Sequence, residues 1–177
     1  FPWAEIMAEP LPEAVEDPSA KAIDPSTTGS IQGLVRYTGA VPEPKELNLY
    51  GGCELETKGP VLDQRVKVQG DTLADAFVTV VSGLDGWKVP AVPERPVEVD
   101  QRGCIYEPRI HGVRVGQEVV FINSDPMFHN VRTESEANPP FNIIMPAKDQ
   151  RESKVFRRPE RMVGARCDVH PWMVSHI

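Results

Sequence analysis

Cys167-Asp168-Val169-His170-Pro171-Trp172-Met173 follows the last clear strand-like run of the chain, and Phe128-His129-Asn130 precedes it by about forty residues. Cys167, His170 and Met173 recur at three-residue intervals inside one short segment. A tight loop after a strand can wrap its side chains around a single point. Pro171 stiffens that loop and removes one backbone N–H beside it. His129 comes from a different loop, so anything held jointly by these residues would tie two strand ends together.

The segments leading to these loops read as β structure. Strand candidates are Ile31–Tyr37, Val66–Val68, the β-branched run Ala76–Val81, Val97–Val99, the alternating Arg109–Val115, and Glu118–Asn123, whose Val119-Val120-Phe121-Ile122 suits burial on both faces. His129–Val131, Phe141–Met145, Ser153–Phe156 and Met162–Cys167 follow. Their spacing of about 8–12 residues, with Gly and Pro between them, predicts an all-β sandwich or barrel. No long helix and no internal repeat is evident. Three regions are expected: an extended, acidic, Pro-rich tail at 1–28, an accessory β segment or small β-sandwich module at 29–96, and the principal β domain at 97–177.

The composition fits this reading. The chain has 177 residues, 18 of them Pro and 13 Gly, with 40% hydrophobic and 25% charged residues. No apolar run approaches the roughly 20 residues of a membrane-spanning helix. No targeting pattern opens the chain, which fits a mature or processed protein beginning at Phe1. The net charge of -7 argues against nucleic-acid binding. The charge is unevenly spread. Glu5, Glu9, Glu13, Glu16, Asp17 and Asp24 face only Lys21 in the first 28 residues, whereas Lys148, Arg151, Lys154, Arg157, Arg158, Arg161 and Arg166 gather near the end. The basic run is either a solvated strand face or a docking patch for an acidic partner or the chain's own tail. The tail itself is either a free leader or an arm laid along a partner subunit.

The donor set narrows the chemistry. One thiol, two imidazoles and a thioether form the trigonal His₂Cys set with a weak axial Met that suits both oxidation states of a type 1 copper. Those roles fall to Cys167, His129, His170 and Met173. Asn130 is placed to bond across to the Cys167 loop. Structural zinc takes Cys and His ligands but not Met. The Cys-x-x-Cys-His of a c-type haem is absent, Cys167 is alone in its loop, as a dinuclear copper centre would not allow, and four His are too few for a multicopper oxidase. No phosphate loop, Gly-x-Ser-x-Gly elbow or zinc-protease helix occurs. The remaining Cys53 and Cys104 are either a disulfide, which fits an oxidising compartment, or two buried free thiols. His111, at a polar position of an alternating run, reads as a surface residue; His176, close to the Cys167 loop, is either a surface residue or a ligand or partner contact. Met127, Phe128, Pro171 and Trp172 flank the donors and serve either core packing or an apolar docking patch for a redox partner.

Together, Val113–Asn123, His129-Asn130-Val131 and Cys167-x-x-His170-x-x-Met173 resemble the cupredoxins, and the short ligand loop with Pro after its second His is most similar to that of amicyanin. The resemblance covers under half the chain. It implies a Greek-key β-sandwich at 97–177 and copper ligands at His129, Cys167, His170 and Met173. It also implies one-electron transfer rather than catalysis, with His170 as the port nearest the surface. Cupredoxins continue in a strand after the Met, so Val174–Ile177 is either a stub of that strand or a point short of the natural end. The family leaves residues 29–96 unexplained, although Gly29–Pro44 resembles small β-sandwich modules of extracytoplasmic proteins. The expected partners are redox proteins (a cytochrome, dehydrogenase or oxidase), met as a free carrier or inside a larger respiratory or photosynthetic complex joined through the tail. The expected location is the periplasm or another extracytoplasmic space. Two alternatives remain: a copper carrier or sensor without electron transfer, and a structural assembly subunit with a vestigial site.

Overall fold

Val119-Val120-Phe121-Ile122 is the centre of the architecture. The run is rich in β-branched and aromatic residues, and every residue from Val119 to Asn123 is buried. A strand covered on both faces must lie inside a sheet with another layer over it. The computed structural model, which describes residues 18–63 and 65–177, shows that arrangement. The proposed tail lies largely outside the described residues. From Pro18 onward it runs mostly exposed, through a short 3-10 turn capped by Asp24.

The fold is all-β. Strands β1 (Val68–Gln69) and β2 (Thr72–Leu73) form a small hairpin. Eight further strands follow: β3 (Val97–Arg102), β4 (Ile105–Glu107), β5 (Glu118–Asn123), β6 (His129–Glu134), β7 (Asn142–Met145), β8 (Gln150–Val155), β9 (Gly164–Arg166) and β10 (Val174–His176). They make two four-stranded sheets, ordered β4-β3-β5-β8 and β10-β9-β6-β7. β3 and β5 are parallel and the other pairs are antiparallel. The chain passes from one sheet to the other between β5 and β6, returns between β7 and β8, and crosses again to β9. These crossings make the Greek-key sandwich.

One core joins the two sheets. Val99, Val119 and Phe121 from the first sheet meet Val131, Met145 and Ala165 from the second, with Cys167 and Met173 in the same cluster. Between the sheets, Gln101 Nε2 and Tyr106 Oη both donate to the Asn130 carbonyl, at 3.1 and 3.2 Å. They satisfy that carbonyl where water is absent.

Several expectations need correction. Ile31–Tyr37 is no strand; only Arg36 forms an isolated bridge, to Thr72. Ala76–Val81, expected as a buried strand, is an exposed irregular segment, with Val81 82% accessible. Among the described residues no neighbouring strand offers it backbone partners, and β propensity without a partner does not make a strand. Arg109–Val115 is likewise irregular, apart from a bridge between Ile110 and His176. His111 is buried rather than exposed. Its backbone N–H donates to the His176 carbonyl and turns it inward. Val174–His176 is a true strand, paired with β9. β4 was not foreseen; its three residues carry too short a pattern. The basic β8 behaves as a solvated strand face: Arg151 pairs with Glu98 and Lys154 lies over the Phe141 ring.

Candidate metal centre

Two turns at the same end of the sandwich carry the donors. His129 opens β6, and Cys167 and His170 lie in the connection from β9 to β10. That connection is closed by its own backbone. Met173 N–H donates to the His170 carbonyl at 2.8 Å, and Cys167 N–H donates to the Met173 carbonyl at 3.2 Å. Two residues between Cys167 and His170 are therefore enough to turn their side chains toward one point.

Three of the four expected donors converge. The Nδ1 atoms of His129 and His170 are 3.0 Å apart, and Cys167 Sγ lies 3.9 and 3.6 Å from them. A point equidistant from atoms with those separations is about 2 Å from each, close to ordinary metal–imidazole bond lengths of about 2.0–2.1 Å. All three residues are buried. Two neutral imidazole lone pairs and a thiolate aimed at one dry point repel one another unless a cation or proton lies between them. The donor set therefore fits a bound metal ion. Met173 is fully buried in the core cluster that contains Cys167.

The protonation states suit this reading. Burial works against a charged Cys167, but His129 and the backbone N–H groups of Asn130, His170 and Val169 outweigh it and hold the thiol below its ordinary range. Burial also works against a charged His129, but Asp125 and Cys167 hold its pKa up. His170 goes the other way, pushed down by burial and by its neighbour His129.

Asp125, in the turn between β5 and β6, orients His129. Its Oδ2 lies 3.0 Å from His129 Nε2. The same carboxylate accepts the N–H groups of Gly103 and Cys104 at 2.7 and 2.8 Å. Burial opposes the charged carboxylate, yet His129 and those two N–H groups keep its pKa low. An acceptor on Nε2 fixes the tautomer that leaves Nδ1 free as a ligand. An acid four residues before a candidate ligand was the available signal.

Asn130 bridges the two turns. Its Oδ1 accepts the Asp168 N–H at 2.7 Å, and its Nδ2 donates to Asp168 Oδ2 and Asn142 Oδ1, both at 2.8 Å. Arg132 Nε adds an ion pair to Asp168 at 2.7 Å. Cys53 and Cys104 form a disulfide, with Cα atoms 5.9 Å apart.

The expected surface port does not exist in this form. His170 is 0% exposed. The segment around Tyr50 and Gly51 lies over it, and the Tyr50 ring centroid is 6.5 Å away. Of the residues expected to form a docking patch, Phe128 and Pro171 are exposed, whereas Trp172 is half-buried and donates its Nε1–H to the Cys104 carbonyl at 2.9 Å. Trp172 meets Tyr50 edge-on, with centroids 4.9 Å apart. His176 stands apart from the donors, on β10.

No family model and no curated protein matches this chain. Solved structures do. A methionine-to-alanine variant of amicyanin with Cu(I) is 26% identical over 46% of this chain and 78% of its own, with a TM-score of 0.40. An oxidised proline-to-alanine variant of amicyanin is 27% identical over 48% and 82%, with a TM-score of 0.42. The copper-containing nitrite reductase of Thermus scotoductus is 24% identical over 56% of this chain but only 24% of its own, also at 0.42.

Proposed function

We propose that this chain is a copper-binding electron-transfer protein and not an enzyme, with His129, Cys167, His170 and Met173 as the ligands. The observation that supports this most directly is the meeting of two imidazole Nδ1 atoms and one low-pKa thiol at a single buried point. A copper ion held there supplies a one-electron couple. The protein's own part is to keep the donors in place. Asp125 sets the His129 tautomer, Asn130 ties the ligand loop to β6, and the two sheets hold both turns rigidly in a dry core. Donors that move little need little reorganisation when the charge at their centre changes.

The partner is a redox protein such as a cytochrome, dehydrogenase or oxidase, met by a free carrier or within a larger complex. The copper domain spans 97–177, with 29–96 as an accessory segment and 1–28 as a tail. An extracytoplasmic, periplasmic-type location suits the Cys53–Cys104 disulfide. Among the described residues, no helix is long and apolar enough to cross a membrane.

The test is a visible absorption spectrum of Cu(II)-loaded protein, repeated on Cys167→Ser. An intense thiolate-to-copper band, bleached by reductant and absent from the variant, is the expected result. Colourless binding that survives Cys167→Ser would overturn the proposal. The complete burial of His170 favours a second reading, a copper-holding carrier or sensor. Reversible one-electron redox chemistry separates the two.

A further inference from the structure

His170 would be expected to present an imidazole edge to solvent, yet it is sealed, and the seal comes from a segment about 120 residues earlier in the sequence. Gly51 lies so close that a Cβ there would stand 2.8 Å from His170 Nε2. Its φ of +70° is also one that L side chains rarely adopt. Only glycine permits this approach. His170 Nε2 is buried, and the Gly51 backbone, not solvent, faces the ring. The contact therefore excludes water from a polar atom that would otherwise be solvated.

The covering segment is anchored to the site itself. Directly after Gly51-Gly52 comes one helical turn, Cys53–Glu56, whose only buried residue is Cys53. Cys53 is bonded to Cys104. Cys104 touches both ligand-bearing turns: its N–H goes to Asp125, the partner of His129, and its carbonyl accepts from Trp172, beside His170. Met127 Sδ packs on the two disulfide sulfurs at 3.4 and 3.2 Å, two residues before His129. Tyr50, 48% exposed, leans on Trp172 and forms the outer surface.

We propose that Leu49–Glu56 is a cap, latched by Cys53–Cys104, that determines what reaches the His170 side of the donor cluster. Gly51 and Tyr50 are its specificity-determining residues. A redox partner meets Tyr50 and Trp172 rather than the imidazole edge, and small reagents are excluded from His170 while the cap is closed. The electron-transfer consequence rests on the function proposed above. The cap itself does not, since it is built from protein groups alone.

The test uses metal-free protein and diethyl pyrocarbonate, with modified histidines mapped by peptide mass spectrometry against N-acetylhistidine as the reference. In the wild type, His170 is expected to react at least about a hundredfold more slowly than the reference, as a group reached only through local opening does. Cys53→Ser/Cys104→Ser and, separately, Gly51→Ala are expected to raise its rate by at least about tenfold while His129 stays protected. Gly51→Ala keeps the disulfide, so it reports on the cap even if the double variant fails to fold. Wild-type His170 reacting like the reference would overturn the proposal, and so would a folded Gly51→Ala protein whose His170 stays as protected as in the wild type. A missing copper band with a protected His170 would end the electron-transfer reading and leave the cap intact. An intense band with a freely reacting His170 would do the reverse.

Discussion

Removing the Asn130 side chain should loosen the ligand loop without disturbing the rest of the sandwich. Asn130 is buried and makes three side-chain hydrogen bonds, to the Asp168 N–H, the Asp168 carboxylate and the Asn142 amide. Each of the two bonds to neutral partners contributes about 1 kcal/mol net. The bond to the Asp168 carboxylate is discounted to about 0.5 kcal/mol, because that carboxylate is exposed and water can replace the donor. Asn130→Ala should therefore lower stability by about 2–3 kcal/mol. Equilibrium urea unfolding of metal-free protein measures this as a lower midpoint with an unchanged slope. Hydrogen exchange locates it: the Asp168, Val169 and His170 amides should exchange faster, while those of β5 keep their protection relative to global unfolding. A loss below about 0.5 kcal/mol, or a loosening spread equally over both sheets, would show that the Asn130 bridge does not hold the loop.

Four further outcomes are expected. Cys53→Ser/Cys104→Ser opens a loop with a sequence separation of 51 and should cost about 4 kcal/mol in the chain-entropy account; a urea-measured loss under about 1 kcal/mol would contradict it. Phe121→Ala removes a fully buried ring that stands 5.7 Å from Phe141, and calorimetry should show a loss of about 3–5 kcal/mol, which a well-collapsed site would keep under about 2. Burial opposes a charged Glu160, but the Glu136 N–H, Ser135 and Asn138 bonds outweigh it and depress its pKa. Its contribution is thus present above the unfolded value of about 4.3 and lost as pH falls through the lower folded value, so the stability gap to Glu160→Gln should shrink in acid; a gap constant from pH 7 to pH 2 would refute this. Cu(II) at about a hundred times its dissociation constant should stabilise the folded chain by about 2.7 kcal/mol, and His129→Ala should remove most of that gain in a thermal melt.

The sequence by itself carried the set of donor side chains and the strands that deliver them. Cys167 and His170 share one loop, so their approach is a local matter of spacing and turn closure, and the strand before them is marked by its own residues. Val119–Ile122 was equally legible, because a strand buried on both faces must be apolar at successive positions. The Asn130 bridge could be anticipated as well, since that residue adjoins one donor and faces the other loop.

Tertiary structure alone decided the rest. Ala76–Val81 has strand-like residues but no partner edge among the described residues, and pairing is a property of two segments, not one. His111 looked exposed by alternation, but its segment follows no ladder, so alternation says nothing about its inside and outside. Asp125 stands four residues before His129, but the bond that joins them across the turn is set by how the fold places the turn. The largest difference concerns His170. Whether its edge is open depends on Gly51, held in place through Cys53 and Cys104, and a contact spanning about 120 residues leaves no mark on the spacing of either segment. Local pattern determines which donor atoms share a loop; the packing of distant chain determines what can reach them.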